Sequence, residues 1–323
     1  MRGWGILELA TDFDLPIFAR PFLKWAGGKG QLLDVFESFY PAQLKEGRIK
    51  KYVEPFVGSG AVLLHVLQNY KIEDAYIFDI NRDLINAYIV VRDEVENLVN
   101  KLSRLENDFL KMNGERRKEF YYEVRNTYNK YHYVNDSNLD IDRATQFIFL
   151  NRTCYNGLYR VNRTGFFNVP FGNYKNPTIC DERNLRAVSA LLQKVHIFAG
   201  DYSESANYID KDTFVYFDPP YRPLSATSSF TSYSRYDFTD EEQIKLAQFF
   251  EQMNDRGAFL MLSNSDPKNV VPNDDFFDSL YGKFHIHRIR ARRVINSKAD
   301  GRGEISEILV TNYVVGADQR EIQ

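Results

Sequence analysis

Asp218-Pro219-Pro220-Tyr221 closes an apolar, strand-like run, Phe214-Val215-Tyr216-Phe217. A carboxylate, a rigid double proline and an aromatic ring at the C-terminal edge of a strand suit one kind of chemistry. They can grip an exocyclic amine and stack against the planar ring that bears it. Such an amine is a poor nucleophile, because its lone pair is delocalised into the ring. Two acceptors, the Asp218 carboxylate and the Pro219 carbonyl, would pull the nitrogen toward tetrahedral geometry and localise that pair. The proline rings restrict the backbone, so the carbonyl keeps its direction. Proline pairs also punctuate ordinary surface turns. The position argues otherwise, since ligands of open α/β sheets collect outside the carboxyl ends of the strands.

A second constellation lies upstream. Tyr52 to Val57 reads as a strand, Gly58-Ser59-Gly60 as a turn, and Ala61 to Leu67 as a helix. Glycines there let a ligand approach the backbone closely. Asp79 follows a strand-like Ala75-Tyr76-Ile77-Phe78, 21 residues after Gly58, where a carboxylate meets ribose hydroxyls. Leu63 stands where a dinucleotide fingerprint needs its third glycine, which disfavours a nicotinamide cofactor. Gly27-Gly28-Lys29-Gly30 lacks the spacing and the following Ser or Thr of a phosphate-binding loop. Two acids at strand ends favour a cationic nucleoside, and S-adenosyl-L-methionine fits better than NAD or ATP. Taken alone, the glycines also read as a tight turn and Asp79 as a solvated strand end.

The elements that must position these residues form the two halves of a doubly wound sheet. Asn81 to Asp93 looks helical. Thr239 is placed as an N-cap with Glu242 completing a capping box, Gly257 ends that helix, and Ala258 to Leu262 is a strand. Between the halves, roughly Arg92 to Glu182, the character changes. A charged amphipathic helix over Leu98 to Tyr131 is followed by a polar stretch. Leu158 to Val161 and Phe166 to Val169 then flank Asn162-Arg163-Thr164-Gly165 as a hairpin. Tyr221 to Phe238 is a Ser/Thr-rich loop of a length seen in lids and binding loops.

The chain has 323 residues, 44% hydrophobic and 26% charged, with net charge −3. That is ordinary for a globular protein and long enough for two domains. There is no run apolar enough to span a membrane, and Met1 to Arg20 lacks the layout of a signal peptide, so a cytoplasmic protein is expected. Cys154 and Cys180 read as reduced thiols, and the five histidines form no metal-binding set, so no metal is expected. The mild negative charge argues weakly against nucleic acid. Its distribution argues the other way: Asn151 to Cys180 holds no acid, and Lys283 to Arg302 carries seven Lys or Arg against Asp300 alone.

Pro21 to Lys29 (PFLKWAGGK), Glu54 to Gly60 (EPFVGSG) and Asp218 to Tyr221 together resemble the Dam family of DNA adenine-N6 methyltransferases. The likeness continues through Tyr155-Asn156-Gly157-Leu158-Tyr159-Arg160, Phe167 to Gly172, Arg302-Gly303 and Glu307 to Tyr313. The order of cofactor motif, recognition segment and catalytic motif is that of the family's alpha group. The resemblance implies an α/β fold with a doubly wound, mostly parallel Rossmann-like methyltransferase sheet. It also implies an inserted, mainly helical DNA-recognition domain carrying a β-hairpin. The expected boundaries are 21–91 and 183–314 for the catalytic domain and 92–182 for the recognition domain. An extension over 1–20 and a tail over 315–323 flank them.

Carried over by residue, the resemblance assigns Asp218, Pro219 and Tyr221 to catalysis. Trp25, Lys29, Phe56, Gly58, Gly60, Asp79 and Asp218 go to the methyl donor, which leaves as S-adenosyl-L-homocysteine. Tyr155 would fill space near the vacated base, Asn156 would meet the orphaned partner, and Arg160 would read guanine, with Leu158 in the same segment. Arg163, Lys175 and the 288–293 arginines are expected on phosphates. The implied partner is double-stranded DNA, in most close relatives at GATC. Pairing with a restriction endonuclease depends on neighbouring genes. Two other readings use the same residues: an adenine-N6 methyltransferase acting on ribosomal RNA, and a catalytically silent DNA-binding relative.

Overall fold

The computed structural model describes residues 18–130, 140–162, 164–222, 238–292 and 304–316. Thr213–Phe217 (β4) is buried throughout, as a continuous apolar run must be when both faces of a sheet are covered. Its alternate side chains enter different cores. Phe214 and Tyr216 join one cluster with Tyr52, Leu63 and Val90, and Val215 and Phe217 join another with Leu246, Phe250 and Leu262. That two-residue period sets the layering of the whole molecule.

Lys51–Glu54 (β1), Asp74–Asp79 (β2), Val195–Ala199 (β3), β4, Phe259–Ser265 (β5), His285–Arg292 (β6) and Glu304–Thr311 (β7) form one seven-stranded sheet in the order β3-β2-β1-β4-β5-β7-β6. β1 pairs in parallel with both β2 and β4, Tyr52 lying opposite Ala75 and Phe214. β7 alone runs antiparallel, between β5 and β6. The strand order reverses between β1 and β4, so the crevice at their carboxyl ends is the topological switch point where such sheets take ligands. The doubly wound, mostly parallel sheet is as expected. β3, β6 and β7 had no sequence signal that singled them out.

The helices are Leu33–Phe39 (α1), Ala42–Lys45 (α2), Ala61–Asn69 (α3), Arg82–Asp93 (α4), Val95–Lys111 (α5), Gly114–Lys130 (α6), Ile141–Thr153 (α7), Glu182–Leu192 (α8), Asp240–Asp255 (α9) and Phe276–Leu280 (α10). The single helix expected over Leu98 to Tyr131 is two. Asn113 breaks it by accepting the Arg116 N–H at 2.9 Å, an N-cap that starts α6. Thr239 caps α9 through the Glu242 N–H at 3.4 Å, but the Glu242 carboxylate turns to Lys245 at 2.7 Å. The reciprocal capping box forms at Asp201 and Glu204, beyond β3.

α5, α6, α7 and the hairpin are threaded between α4 and α8. The hairpin is narrower than expected. It is held by isolated bridges, Cys154 with Phe171 and Val161 with Phe167, in place of continuous strands. A buried ion pair anchors these helices to the sheet layer. The Arg143 guanidinium (α7) donates twice to the Asp83 carboxylate (α4), lies 4.1 Å over the Tyr128 ring (α6), and donates to the Tyr128 carbonyl at 3.0 Å. Arg163, residues 1–17, and 223–237 of the Ser/Thr-rich loop lie outside the described residues.

Candidate active site

Asp218 stands immediately beyond β4, at the switch point. Both carboxylate oxygens take the Lys29 ammonium, at 2.7 and 2.8 Å, and Oδ1 also accepts from Ser263 Oγ at 3.0 Å. Ser263 lies on β5 and is linked at 2.8 Å to the Tyr216 hydroxyl on β4. Ser263 and Tyr216 are fully buried, so this hydroxyl pair fixes the carboxylate from the sheet side. The Asp218 side chain keeps one-fifth of its surface open. Burial raises its pKa, and Lys29 and Ser263 pull it back.

Lys29 is 4% exposed and held on three sides. Besides Asp218 it donates to the Gly27 carbonyl at 2.6 Å and lies 4.6 Å from the centre of the Tyr221 ring. Gly27 has φ +74°, a left-handed conformation that favours glycine. The Tyr221 hydroxyl donates to Glu307 on β7 at 2.7 Å. Burial raises the Glu307 carboxyl above its ordinary range. The Pro-Pro turn is held from behind. Gln243 of α9 donates to the Pro220 carbonyl at 3.0 Å and accepts from Asn264 of β5 at 3.2 Å, and Asn264 takes the Arg222 N–H. A cleft of about 350 Å3 opens beside Lys29 and Glu307, bordered by Gly28, Gln31 and Arg290. That volume is in the range of small-molecule sites.

Asp79, at the end of β2, accepts the Gly58 N–H at 3.2 Å and the Asn81 N–H at 2.9 Å. Burial pushes its carboxyl up to about 6, against the pull of those two N–H groups. Gly58 is left-handed and touches the indole of Trp25, which a Cβ would meet at 3.2 Å. Gly60 is also left-handed and abuts the Tyr88 hydroxyl. Glu54, the last residue of β1, is buried, raised well above the carboxylate range by that burial, and takes the Tyr52 hydroxyl at 2.7 Å. Phe56 stacks on Tyr202 with centroids 5.3 Å apart, bringing the end of β3 to the same edge.

The residues expected to contact DNA divide by face. Tyr155 is 55% exposed, and Asn156 is exposed with φ 55°. Arg160 is exposed and donates to the Asn168 side chain at 2.8 Å. Lys175 is exposed, whereas Leu158 packs partly against the core. One expectation needs correction: Arg288 does not present a free charge. It is bound to Asp266 at 3.1 Å and to Asp278 at 2.8 Å, so it braces β6 instead of awaiting phosphate. Sequence reasoning missed Ser263, Gln243 and Tyr202, and it quoted Glu307 in a matching string without giving it a role. It also missed Tyr159, which turns inward to stack on Trp25 at 5.5 Å. Among the described residues no three His, Cys, Asp or Glu side chains are grouped to hold a metal ion.

The arrangement can take an amine donor at Asp218 and a hydroxyl-bearing group at Asp79, on one sheet edge. The family described as D12 class N6 adenine-specific DNA methyltransferase matches residues 25–295. The type II methyltransferase M.MjaIII of Methanocaldococcus jannaschii is 54% identical over 296 residues, covering 91% of this chain and 99% of that protein. A type II methyltransferase of Lactococcus lactis subsp. cremoris is 37% identical over 300 residues, covering 91% and 95%. The DNA adenine methylase of Escherichia coli is 36% identical over 290 residues, covering 90% and 94%. A match of this extent makes the chain a member of the D12 class and an adenine-specific DNA N6-methyltransferase.

Proposed function

We propose that the protein transfers methyl from S-adenosyl-L-methionine to the N6 amine of an adenine swung out of duplex DNA, at GATC. The observation that carries this reading is the Asp218 carboxylate at the switch point, held by Lys29 and Ser263 beside the Tyr221 ring. We further propose 21–91 and 183–314 as the catalytic unit and 92–182 as the unit that reads DNA, flanked by the 1–20 extension and the 315–323 tail.

The residues present fit the methyl donor. The partly buried Asp79 carboxylate can accept ribose hydroxyls, left-handed Gly58 and Gly60 bring backbone close, and Trp25 and the Phe56–Tyr202 pair offer apolar walls. Lys29 and Asp218 close the β4 side. S-adenosyl-L-methionine supplies an activated methyl group and leaves as S-adenosyl-L-homocysteine. Asp218 accepts one amine N–H and the Pro219 carbonyl the other, while Tyr221 offers the stacking face that an extruded base requires. Because Lys29 engages both Asp218 oxygens, the incoming amine must share or displace that ammonium.

The cofactor reading has a pH signature. Asp79 accepts both hydroxyls only when ionised, and its carboxyl is pushed up to about 6. Affinity for S-adenosyl-L-homocysteine should therefore be flat above that value and weaken about tenfold per unit below it. Asp79→Asn should bind weakly at every pH and show no such step. Calorimetric titrations across this range check the profile, and a wild-type profile flat through it would refute the role.

Tyr155, Asn156, Leu158 and Arg160 would read the site, with Arg163 and Lys175 on phosphates. Arginine pairs bidentately with guanine, worth about 1–3 kcal/mol of discrimination. Arg160→Ala should lose about ten- to a hundredfold of preference for GATC over singly altered sites, and lose less rate on saturating cognate duplex. Identical site preferences in mutant and wild type would remove Arg160 from the reading face.

A protein acting on chromosomal DNA works in the cytoplasm. No helix among the described residues is long and apolar enough to cross a membrane. The type II names of two relatives support pairing with a restriction endonuclease. Sequencing modified bases in a methylation-free host expressing the protein tests the activity and the GATC target together. N6-methyladenine confined to GATC is expected, and unmodified DNA from a host containing folded protein would overturn the reading. Competing duplex DNA against structured RNA in one labelling assay separates the ribosomal alternative.

A further inference from the structure

Tyr159 lies within the hairpin, one residue from Arg160, yet it is only 7% exposed. Its ring stacks on Trp25 at 5.5 Å with 16° between planes and meets Phe147 edge-on at 5.5 Å. Its hydroxyl points toward the side chains of Asn81 and Tyr128, which pull its pKa down against the rise that burial causes. Asn81 donates its backbone N–H to Asp79, and Trp25 lies against Gly58. One side chain of the hairpin therefore touches both halves of the cofactor lip.

A second junction lies beside the first. Asn151, buried at the end of α7, accepts the Lys24 N–H at 2.9 Å and donates to the Lys24 carbonyl at 2.7 Å. The same amide donates to the Gly157 carbonyl at 3.1 Å. A Cβ on Gly157 would collide with the Lys24 side chain, so the Gly157 backbone runs directly against that side chain. Lys24 and Trp25 are thereby fastened to the base of the hairpin. Five residues beyond Lys24, the same segment ends in Lys29, on Asp218.

We propose that Tyr159 is a positioning residue that couples the reading hairpin to the cofactor lip, so that target DNA and cofactor each tighten the binding of the other. This rests on the assignment of the lip to S-adenosyl-L-methionine and of the hairpin to DNA. A shift of the hairpin would move the Trp25 indole, on which Tyr159 stacks, and pull on the Asn151 link to Lys24, and both lie in the segment assigned to the cofactor lip. A ligand at either end selects the same arrangement of the shared packing, and such coupling is reciprocal by thermodynamic necessity. Arg160 and Tyr155, facing outward, report the target. Tyr159, facing inward, transmits it.

The test uses the full chain, S-adenosyl-L-homocysteine as the unreactive probe, and a short duplex containing or lacking GATC. In wild type, the probe should tighten the GATC duplex by about tenfold, and that duplex should tighten the probe by the same factor, within the usual range of coupling. The duplex lacking GATC should show less than about twofold. Tyr159→Leu should bring the GATC factor below about twofold, while each ligand alone still binds; Tyr159→Phe, which keeps the stack, should retain most of it. Coupling absent in wild type, undiminished in Tyr159→Leu, or lost equally in Tyr159→Phe overturns the proposal. The wild-type measurement decides even where the leucine variant does not fold. Failure of wild type to bind the probe or either duplex would instead sink the functional reading beneath it.

Discussion

Asp218→Ala is expected to lower methylation of duplex DNA by about 10²–10³-fold, the scale seen when a preorganised hydrogen-bonding partner of the reacting group is removed. On the proposed assignment, the reacting amine needs an acceptor held in place before it arrives, and Asp218 is so held. Ser263 and Tyr216 fix Asp218 from the sheet side, and Lys29 offsets part of the rise in pKa that burial causes. Alanine removes the acceptor and leaves a nearly buried ammonium without its carboxylate. Asp218→Asn keeps the shape but turns a donor toward the amine, and it should fail almost as badly. Transfer of label from radioactive S-adenosyl-L-methionine to a GATC duplex measures both, with circular dichroism checking that secondary structure is retained. An alanine variant with more than a tenth of wild-type activity would remove Asp218 from the chemistry.

Arg143→Leu should destabilise the fold by about 3–5 kcal/mol, because it strands a buried carboxylate. Asp83 and Arg143 are 7% and 6% exposed, and their bidentate pair, with the Tyr128 hydroxyl donating to the same carboxylate, joins α4, α6 and α7. The double variant Asp83→Leu/Arg143→Leu should recover much of the loss, since removing both partners leaves no unpaired charge. Denaturant midpoints of the single and double variants decide this. A single variant weakened by less than about 1 kcal/mol, the scale of an exposed pair, would show that the cluster is not the anchor it looks. α4 begins at Arg82, directly after the Asn81 that serves Asp79. The single variant should therefore also bind S-adenosyl-L-homocysteine more weakly.

The basic zone over Lys283 to Arg302 shows how charge reads differently in one dimension and in three. Counted along the chain it promised an anion-binding face, but Arg288 is neutralised by Asp266 and Asp278, 22 and 10 residues away. Nothing local to Arg288 announces those partners. They meet it only because β6 joins the sheet through β7. The helix over Leu98 to Tyr131 was misread for a different reason. Asn113 and Gly114 are short-range breakers inside a continuous amphipathic pattern, and periodicity outweighed them.

Local chemistry is what the sequence by itself determined. Asp218-Pro219-Pro220-Tyr221, the left-handed glycines at 58 and 60, and Asp79 at a strand's end were legible because each depends on neighbours within a few positions. Strand-turn-helix periodicity is local in the same way, and it implied the doubly wound sheet. Tertiary structure alone decided who surrounds those groups. Ser263 reaches Asp218 because β5 lies beside β4, and Glu307 reaches Tyr221 because β7 enters antiparallel beyond it. Tyr159 meets Trp25 across more than a hundred residues of chain. Strand order and hairpin facing are set by burial summed over the whole molecule, and no short stretch of residues carries that sum.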